Sequence, residues 1–159
     1  MRTIVIISLI GILSMGFINQ STGQNISTQQ KSRIEKQVDS IFHCMLKAAE
    51  NLDYDILNQG VDDKYSAGFI TNGAYFMRFD SLLNILKTRS QGITKQSITI
   101  QKEKITVLSE NIVLLTAYGD TKVDVNFGNS FTAKFYWSFV YEKIVGNWKV
   151  IQSHQSSIR

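Results

Sequence analysis

Two histidines and one cysteine are the residues of this 159-residue chain best suited to proton transfer, nucleophilic attack or metal binding. His154 lies near the end of the chain, in a segment that reads GNWKVIQSHQSS. An imidazole whose pKa is about 6.5 can accept or donate a proton at neutral pH, so His154 is our catalytic candidate. The structural alternative is a histidine that hydrogen-bonds to neighbouring backbone or hydroxyl groups and stabilises the end of a strand.

The other two reactive residues, His43 and Cys44, are adjacent in the first half of the chain. Two distant histidines and a lone thiol do not supply the three or four ligands, some closely spaced, of a zinc site, so we expect no metal site. Cys44 follows a helical apolar pattern, which predicts a buried, unreactive thiol. The chain has no phosphate-binding glycine loop, HExxH element or nucleophilic serine elbow, and no cofactor is expected.

The N-terminal 23 residues have the layout of a secretory signal peptide. Arg2 precedes an apolar run from Ile4 to Ile18, and Ser21 and Gly23 are spaced for cleavage after Gly23. The run is shorter than the roughly 20 apolar residues that a membrane span needs. We therefore predict an exported protein, periplasmic or secreted, with no stable membrane span after cleavage. An uncleaved N-terminal anchor is the alternative.

The charge of the chain does not indicate a nucleic-acid partner. Its formal net charge is +4, but Lys and Arg are interleaved with Asp and Glu along the sequence. Such a distribution is typical of a mixed, solvated surface rather than a basic patch. We expect no nucleic acid among the partners.

The remaining chain predicts one α+β domain over residues 33–157, after a disordered lead-in over residues 24–32. A helix with an apolar stripe begins near Ser32, and Asn72-Gly73 between β-prone runs indicates a hairpin. From Lys95 to Ser157 the pattern predicts four long strands, with a bulge near Lys102 where the alternation changes phase. Such strands predict a cone-shaped, curved antiparallel sheet wrapped around the long N-terminal helix.

A cone of this kind leaves a pocket that its own side chains do not fill. The strand after Ser130 alternates aromatic and polar residues, so its aromatic face is predicted to point inward. The last strand is predicted to line the cone with His154, Gln152 and Trp148 on one face. The predicted ligand-binding residues are Phe135, Trp137, Phe139 and Gln152 on the wall, with Tyr118 and Tyr65 nearer the mouth.

Three stretches of the chain resemble the SnoaL-like branch of the nuclear transport factor 2-like superfamily. They are Asp55-Ile56-Leu57, the segment VDDKY over 61–65, and the ending GNWKVIQSHQSS. The similarity extends from about Arg33 to Ser157. It implies the same cone-shaped α+β fold, a cystatin-like roll, and a homodimer formed through the outer face of the sheet. The superfamily includes isomerases, dehydratases, cyclases and non-catalytic binding domains, so the resemblance leaves the chemistry open.

Ketosteroid isomerases of this superfamily use a tyrosine and an aspartate, and the resemblance places these at Cys44 and Gly68 here. Neither residue can perform those roles, so that reaction is disfavoured. The predicted function is a small-ligand-binding domain, non-catalytic or weakly catalytic, for a small apolar or carbonyl-containing molecule. The alternative is an isomerase or lyase in which His154 is the general acid or base for a small carbonyl-containing substrate. A dimerisation module with a filled interior is a third possibility.

Overall fold

The computed structural model describes residues 26–158, so the predicted signal peptide lies outside the described residues. Three α-helices and six β-strands follow one another along this part of the chain. They are α1 (Thr28–Glu50), α2 (Tyr54–Gln59), β1 (Phe69–Thr71), β2 (Ala74–Phe76), α3 (Phe79–Arg89), β3 (Ile93–Val107), β4 (Ile112–Val125), β5 (Ser130–Ile144) and β6 (Asn147–Ile158).

Helix α1 begins earlier than the sequence pattern predicts. The Ser27 side chain accepts a hydrogen bond of 3.2 Å from the backbone N–H of Gln30 and so caps the first turn. The prediction of a disordered lead-in is therefore wrong for residues 28–32, which are helical. The helix is amphipathic and buries Ile34, Val38 and Phe42 at steps of four residues. Neither α1 nor any other helix within residues 26–158 is both long and apolar enough to cross a membrane.

The six strands form one sheet in the order β2-β1-β6-β5-β4-β3. The sheet curves around α1 without closing, which confirms the predicted cone-shaped α+β fold. Strands β3 to β6 pair antiparallel with their neighbours, whereas β1 pairs parallel with β6. The sheet is therefore mixed rather than antiparallel throughout. Strand β1 lies beside β6, the last strand of the chain, and runs in the same direction.

The predicted hairpin is present between β1 and β2. Asn72 and Gly73 have φ values of 47° and 81°, the left-handed conformation that these two residues accept most readily. The Asn72 carboxamide oxygen also accepts a hydrogen bond of 2.7 Å from the backbone N–H of Ser157. The turn is thus joined to the end of β6 as well as closing its own hairpin.

One hydrophobic core occupies the space between α1, α3 and the concave face of the sheet. Aromatic side chains contribute much of it, because alternate residues of β5 point toward α1. Trp148 on β6 is buried, and its indole N–H donates to the Gln37 side chain at 3.1 Å. The aromatic and larger aliphatic members of the core are Phe42, Phe69, Phe79, Leu82, Leu115, Phe135, Phe139, Tyr141 and Trp148.

Candidate functional site

A cavity of about 280 Å³ lies between the apolar side of α1 and the concave face of the sheet. This volume is close to the lower end of the range of small-molecule pockets, about 300–1,000 Å³. The core therefore does not fill the cone completely. The hydrophobic side chains that line the cavity include Phe42, Met45, Leu46, Leu57, Phe69, Phe79, Leu86, Trp137, Phe139 and Tyr141.

Strand β5 forms the aromatic wall of this cavity, as its alternation predicts. Trp137 and Phe139 line the space, and their ring centroids lie 6.1 Å apart in an edge-to-face arrangement. Phe135 is buried beyond the lining and stacks on Trp137, with 3.8 Å between the ring centroids. Phe135 therefore supports the wall from behind, whereas Trp137 and Phe139 face the cavity.

Gly119 on β4 makes room for this aromatic wall. A Cβ atom at this position would lie 2.9 Å from Cζ of Phe135 and 2.0 Å from the backbone oxygen of Thr99. Both separations are shorter than the van der Waals contact distance of a carbon atom. The glycine allows β3 and β5 to approach β4 closely at the level of Phe135.

The last strand does not present the face that the sequence pattern predicts. The pairing between β5 and β6 changes from Val140↔Gln152 to Tyr141↔Val150, so Ile151 is an extra residue in a bulge. One extra residue exchanges the two faces of a strand. The inward residues are Trp148 and Val150 before the bulge, and Ser153 and Gln155 after it.

The predicted positions of Gln152 and His154 inside the cone are therefore wrong. His154 is exposed and lies in a shallow depression on the outer face of the sheet, beside Tyr118, Tyr136 and Ser156. The adjacent apolar residues Val150 and Ile151 already interrupt the alternation of the strand. That interruption is the sequence signal that could have indicated the bulge.

The two predicted tyrosines are also outside the cavity lining. Tyr118 is on the outer face of β4 and stacks on Tyr136 with ring centroids 6.2 Å apart. Tyr65 lies on the surface, where its hydroxyl donates to Glu142 at 2.9 Å. Tyr118 is outside the cavity because its position in the alternation of β4 places it on the outer face. Tyr65 lies in the loop between α2 and β1, and the path of that loop has no periodic sequence signal.

Polar groups of the cavity cluster where α2, the end of α3 and the start of β3 meet. The Tyr54 and Ser90 hydroxyls are hydrogen-bonded to each other, and the Gln96 carboxamide donates to the backbone oxygen of Ala49. Arg89 lines the same region and forms no ion pair with any residue in 26–158. Sequence patterns do not reveal Arg89 and Ser90 as lining residues, because their position depends on how α3 packs against β3.

A second polar pair lies on β6. The Gln155 side chain donates to the Ser153 hydroxyl at 3.3 Å, and both residues line the cavity. Ser153 is 1% exposed, so it has little contact with bulk solvent. These groups are neutral donors and acceptors that can orient a polar substituent of a ligand.

Tyr141 supplies a buried hydroxyl that also lines the cavity. Burial raises the pKa of Tyr141 well above its usual range, and the charge of Glu103 adds to the shift. The phenol therefore stays protonated at neutral pH. Its hydroxyl contacts the Met45 sulfur at 4.0 Å, a weak acceptor that a ligand oxygen could replace.

The cavity has no general base in the part of the chain that the structure describes. Its lining includes no Asp, Glu, His, Lys or Cys, and Arg89 carries its permanent charge. Arginine cannot be deprotonated in proteins, so it serves as a hydrogen-bond donor rather than as a base.

Cys44 is exposed and lies outside the lining, which corrects the prediction of a buried thiol.

Comparison with known proteins identifies both the sequence family and the fold. Residues 38–159 match the model of the SnoaL-like domain. No curated protein matches the chain.

Solved structures of low sequence identity share the nuclear transport factor 2-like fold. One is a protein of that superfamily from Salmonella enterica serovar Typhimurium, with a TM-score of 0.72, 15% identity, and coverage of 81% of this chain and 94% of that one. Another is the hexachlorocyclohexane dehydrochlorinase LinA-type3 from Novosphingobium barchaimii. Its TM-score is 0.71 at 11% identity, and the match covers 84% of this chain and 92% of that one. The association domain of CaMKII from C. elegans has a TM-score of 0.66 at 14% identity, and the match covers 82% of this chain and 99% of that one.

Proposed function

The chain belongs to the family of SnoaL-like domains, and from that premise we propose that it binds a small apolar or carbonyl-containing molecule. The proposed domain is non-catalytic or weakly catalytic. The observation that carries this proposal is a 280 Å³ cavity with an aromatic wall and no general base within the described lining. Proton-transfer catalysis needs a base within hydrogen-bond reach of the substrate, whereas binding does not.

The arrangement of the lining favours a ligand with an apolar body and one oxygen-bearing end. Trp137 and Phe139 offer flat apolar surface to the body of the ligand. Arg89 and the paired hydroxyls of Tyr54 and Ser90 offer donors to a carbonyl or carboxylate oxygen. A ligand of this kind satisfies both regions of the cavity.

The alternative function is an isomerase or lyase that uses His154 as its general acid or base. Two of the solved structures of the same fold are named dehydrochlorinases. For His154 to act, a substrate would have to occupy the outer depression beside Tyr118 and Tyr136. We rank ligand binding first, because His154 does not face the apolar cavity.

We further propose that the protein is exported and forms a homodimer. The proposal of export rests on residues 1–23, and the mass of the protein recovered from cells tests cleavage after Gly23.

The proposal of a homodimer rests on the outer face of the sheet, where the stacked Tyr118 and Tyr136 are 41% and 47% exposed. Light scattering should give twice the chain mass at micromolar concentration, and the chain mass alone would contradict a homodimer.

Native mass spectrometry of the purified protein tests ligand binding even while the identity of the ligand is open. We expect a small molecule that stays bound in the native spectrum and is released on denaturation. Trp137→Ala should reduce its occupancy, because the wall loses its largest side chain. Tyr75→Ala changes an exposed aromatic residue outside the cavity and is the matched control. Equal occupancy in both variants would contradict binding in the cavity.

A further inference from the structure

Three side chains that could ligate a metal converge on the side of α1, outside the apolar cavity. Asp39 and His43 lie one turn apart on α1, and Glu103 lies on β3. An Oδ atom of Asp39 is 3.4 Å from Nδ1 of His43, and Nε2 of His43 is 4.0 Å from Oε2 of Glu103. One ligand atom from each residue lies within 4.8 Å of the others.

The bulge in β3 brings Glu103 to this position. The register changes from Ile100↔Gly119 to Lys102↔Tyr118, so Gln101 is the extra residue and the strand faces are exchanged. After the bulge Glu103 pairs with the buried Ala117 and points toward α1. Without the bulge this inward position would be taken by Lys102, which would repel a cation.

The contacts of His43 determine which of its nitrogens is available. Its Nδ1 lies 3.0 Å from the backbone oxygen of Asp39. A carbonyl oxygen can only accept, so Nδ1 carries the hydrogen of this bond. In the neutral ring the lone pair is then on Nε2, the atom that faces Glu103. A hydrogen bond from the second nitrogen to a backbone carbonyl is the usual support of a metal-binding histidine.

Glu103 provides the second observation that points to a cation. Its Oε2 atom is buried and accepts no hydrogen bond. The atom faces the lone pair of His43 Nε2, and the Asp39 carboxyl is close by. The Glu103 side chain is 24% exposed overall, but this oxygen is shielded from solvent, and a cation placed between it and the His43 lone pair would satisfy both.

We propose that Asp39, His43 and Glu103 bind a divalent transition-metal ion, with Zn²⁺ as the probe, and that solvent completes its coordination. One imidazole and two carboxylates suit Zn²⁺, whose bonds to such ligands are about 2.0–2.2 Å long. Tetrahedral bonds of this length hold two ligand atoms about 3.4 Å apart. His43 Nε2 and Glu103 Oε2, which are 4.0 Å apart, would therefore move closer together on binding. The site would join α1 to β3. The sequence alone does not predict it, because the Asp-His pair is local but Glu103 depends on the fold.

Calorimetric titration of the untagged, chelator-treated protein with Zn²⁺ tests this proposal. We expect one Zn²⁺ per chain in the wild type, and binding at least tenfold weaker in His43→Ala and in Glu103→Gln. His154→Ala removes the other histidine and Cys44→Ser removes the adjacent thiol, and both should bind Zn²⁺ as the wild type does. His43 is exposed and the glutamine is isosteric, so these variants should fold, which circular dichroism checks.

A second measurement separates a metal site from a simple ion-pair cluster. Zn²⁺ should raise the melting temperature of the wild type and of Cys44→Ser, but not that of Glu103→Gln. The proposal is overturned if the wild type binds no Zn²⁺ stoichiometrically. It is also overturned if Cys44→Ser loses binding while Glu103→Gln retains it. Neither result bears on the apolar cavity, so the proposed ligand-binding function is tested separately.

Discussion

Trp137 and Gln155 are register partners on β5 and β6, and both side chains line the apolar cavity. The preceding residue, His154, pairs with Ser138 and lies on the opposite face of the sheet. The bulge at Ile151 produces this arrangement, since it turns Gln155 inward and His154 outward. The polar groups of β6 that can meet a ligand are therefore the Gln155 carboxamide and the Ser153 hydroxyl rather than an imidazole.

The first prediction compares these two neighbouring residues. Gln155→Ala should weaken binding of a ligand with a carbonyl or carboxylate group about fivefold, which corresponds to one hydrogen bond of about 1 kcal/mol. His154→Ala should leave the affinity unchanged within about twofold, as expected for a surface substitution far from the ligand. Titration of both purified variants with the same ligand measures the difference. A larger loss in His154→Ala than in Gln155→Ala would favour a site on the outer face.

The second prediction concerns the turn at Asn72, whose backbone N–H also donates to the Gln155 oxygen at 2.9 Å. Asn72→Gly keeps the left-handed backbone but removes both hydrogen bonds that Ser157 donates to the Asn72 side chain, and should lower the free energy of unfolding by about 1 kcal/mol. Asn72→Ala adds the strain of φ 47°, and should lower it by about 2 kcal/mol. Urea denaturation measures both values. Equal losses of unfolding free energy in the two variants would mean that the left-handed conformation at position 72 contributes nothing to the difference in stability.

The third prediction concerns Gly119, beneath the aromatic wall. Gly119→Ala should lower the free energy of unfolding by about 1–3 kcal/mol, because the added methyl group meets Thr99 backbone that cannot easily move away. Thr116→Ala, at an exposed position of the same strand, is the control and should change it by less than about 1 kcal/mol. Stability of Gly119→Ala equal to that of the control would contradict the close approach of β3 and β4.

The aromatic wall could be predicted from sequence because every second residue of β5 from Phe131 to Tyr141 is apolar or aromatic. Phe135, Trp137 and Phe139 share one face whatever the neighbouring strands do. The hairpin at Asn72-Gly73 and the apolar stripe of α1 are equally local patterns. Helix α1 nevertheless begins before Ser32, since a single capping side chain decides where a helix starts.

The rest of the site depends on relationships that a local pattern does not contain. Simple alternation assigns His154 to the wrong face, because one extra residue in β6 exchanges inward and outward positions. Arg89 and Ser90 reach the cavity because the end of α3 packs near β3, which is a tertiary contact. Glu103 meets His43 only through the fold and the bulge in β3. The positions of most polar residues of these sites thus depend on long-range contacts, whereas the positions of the apolar residues follow from local periodicity.

The fluorescence of Trp137 tests the central claim, that the cavity admits a small molecule, most directly. Trp148 lies outside the cavity lining, so Trp148→Phe leaves Trp137 as the only indole of the chain. Titration of this variant with small aromatic ketones and carboxylates should change the Trp137 emission saturably, at one molecule per chain. The change should disappear when Ala49→Phe, at a position that lines the cavity, is added to fill the space. Emission that no compound changes saturably, or that changes equally in the filled variant, would contradict ligand binding in this cavity.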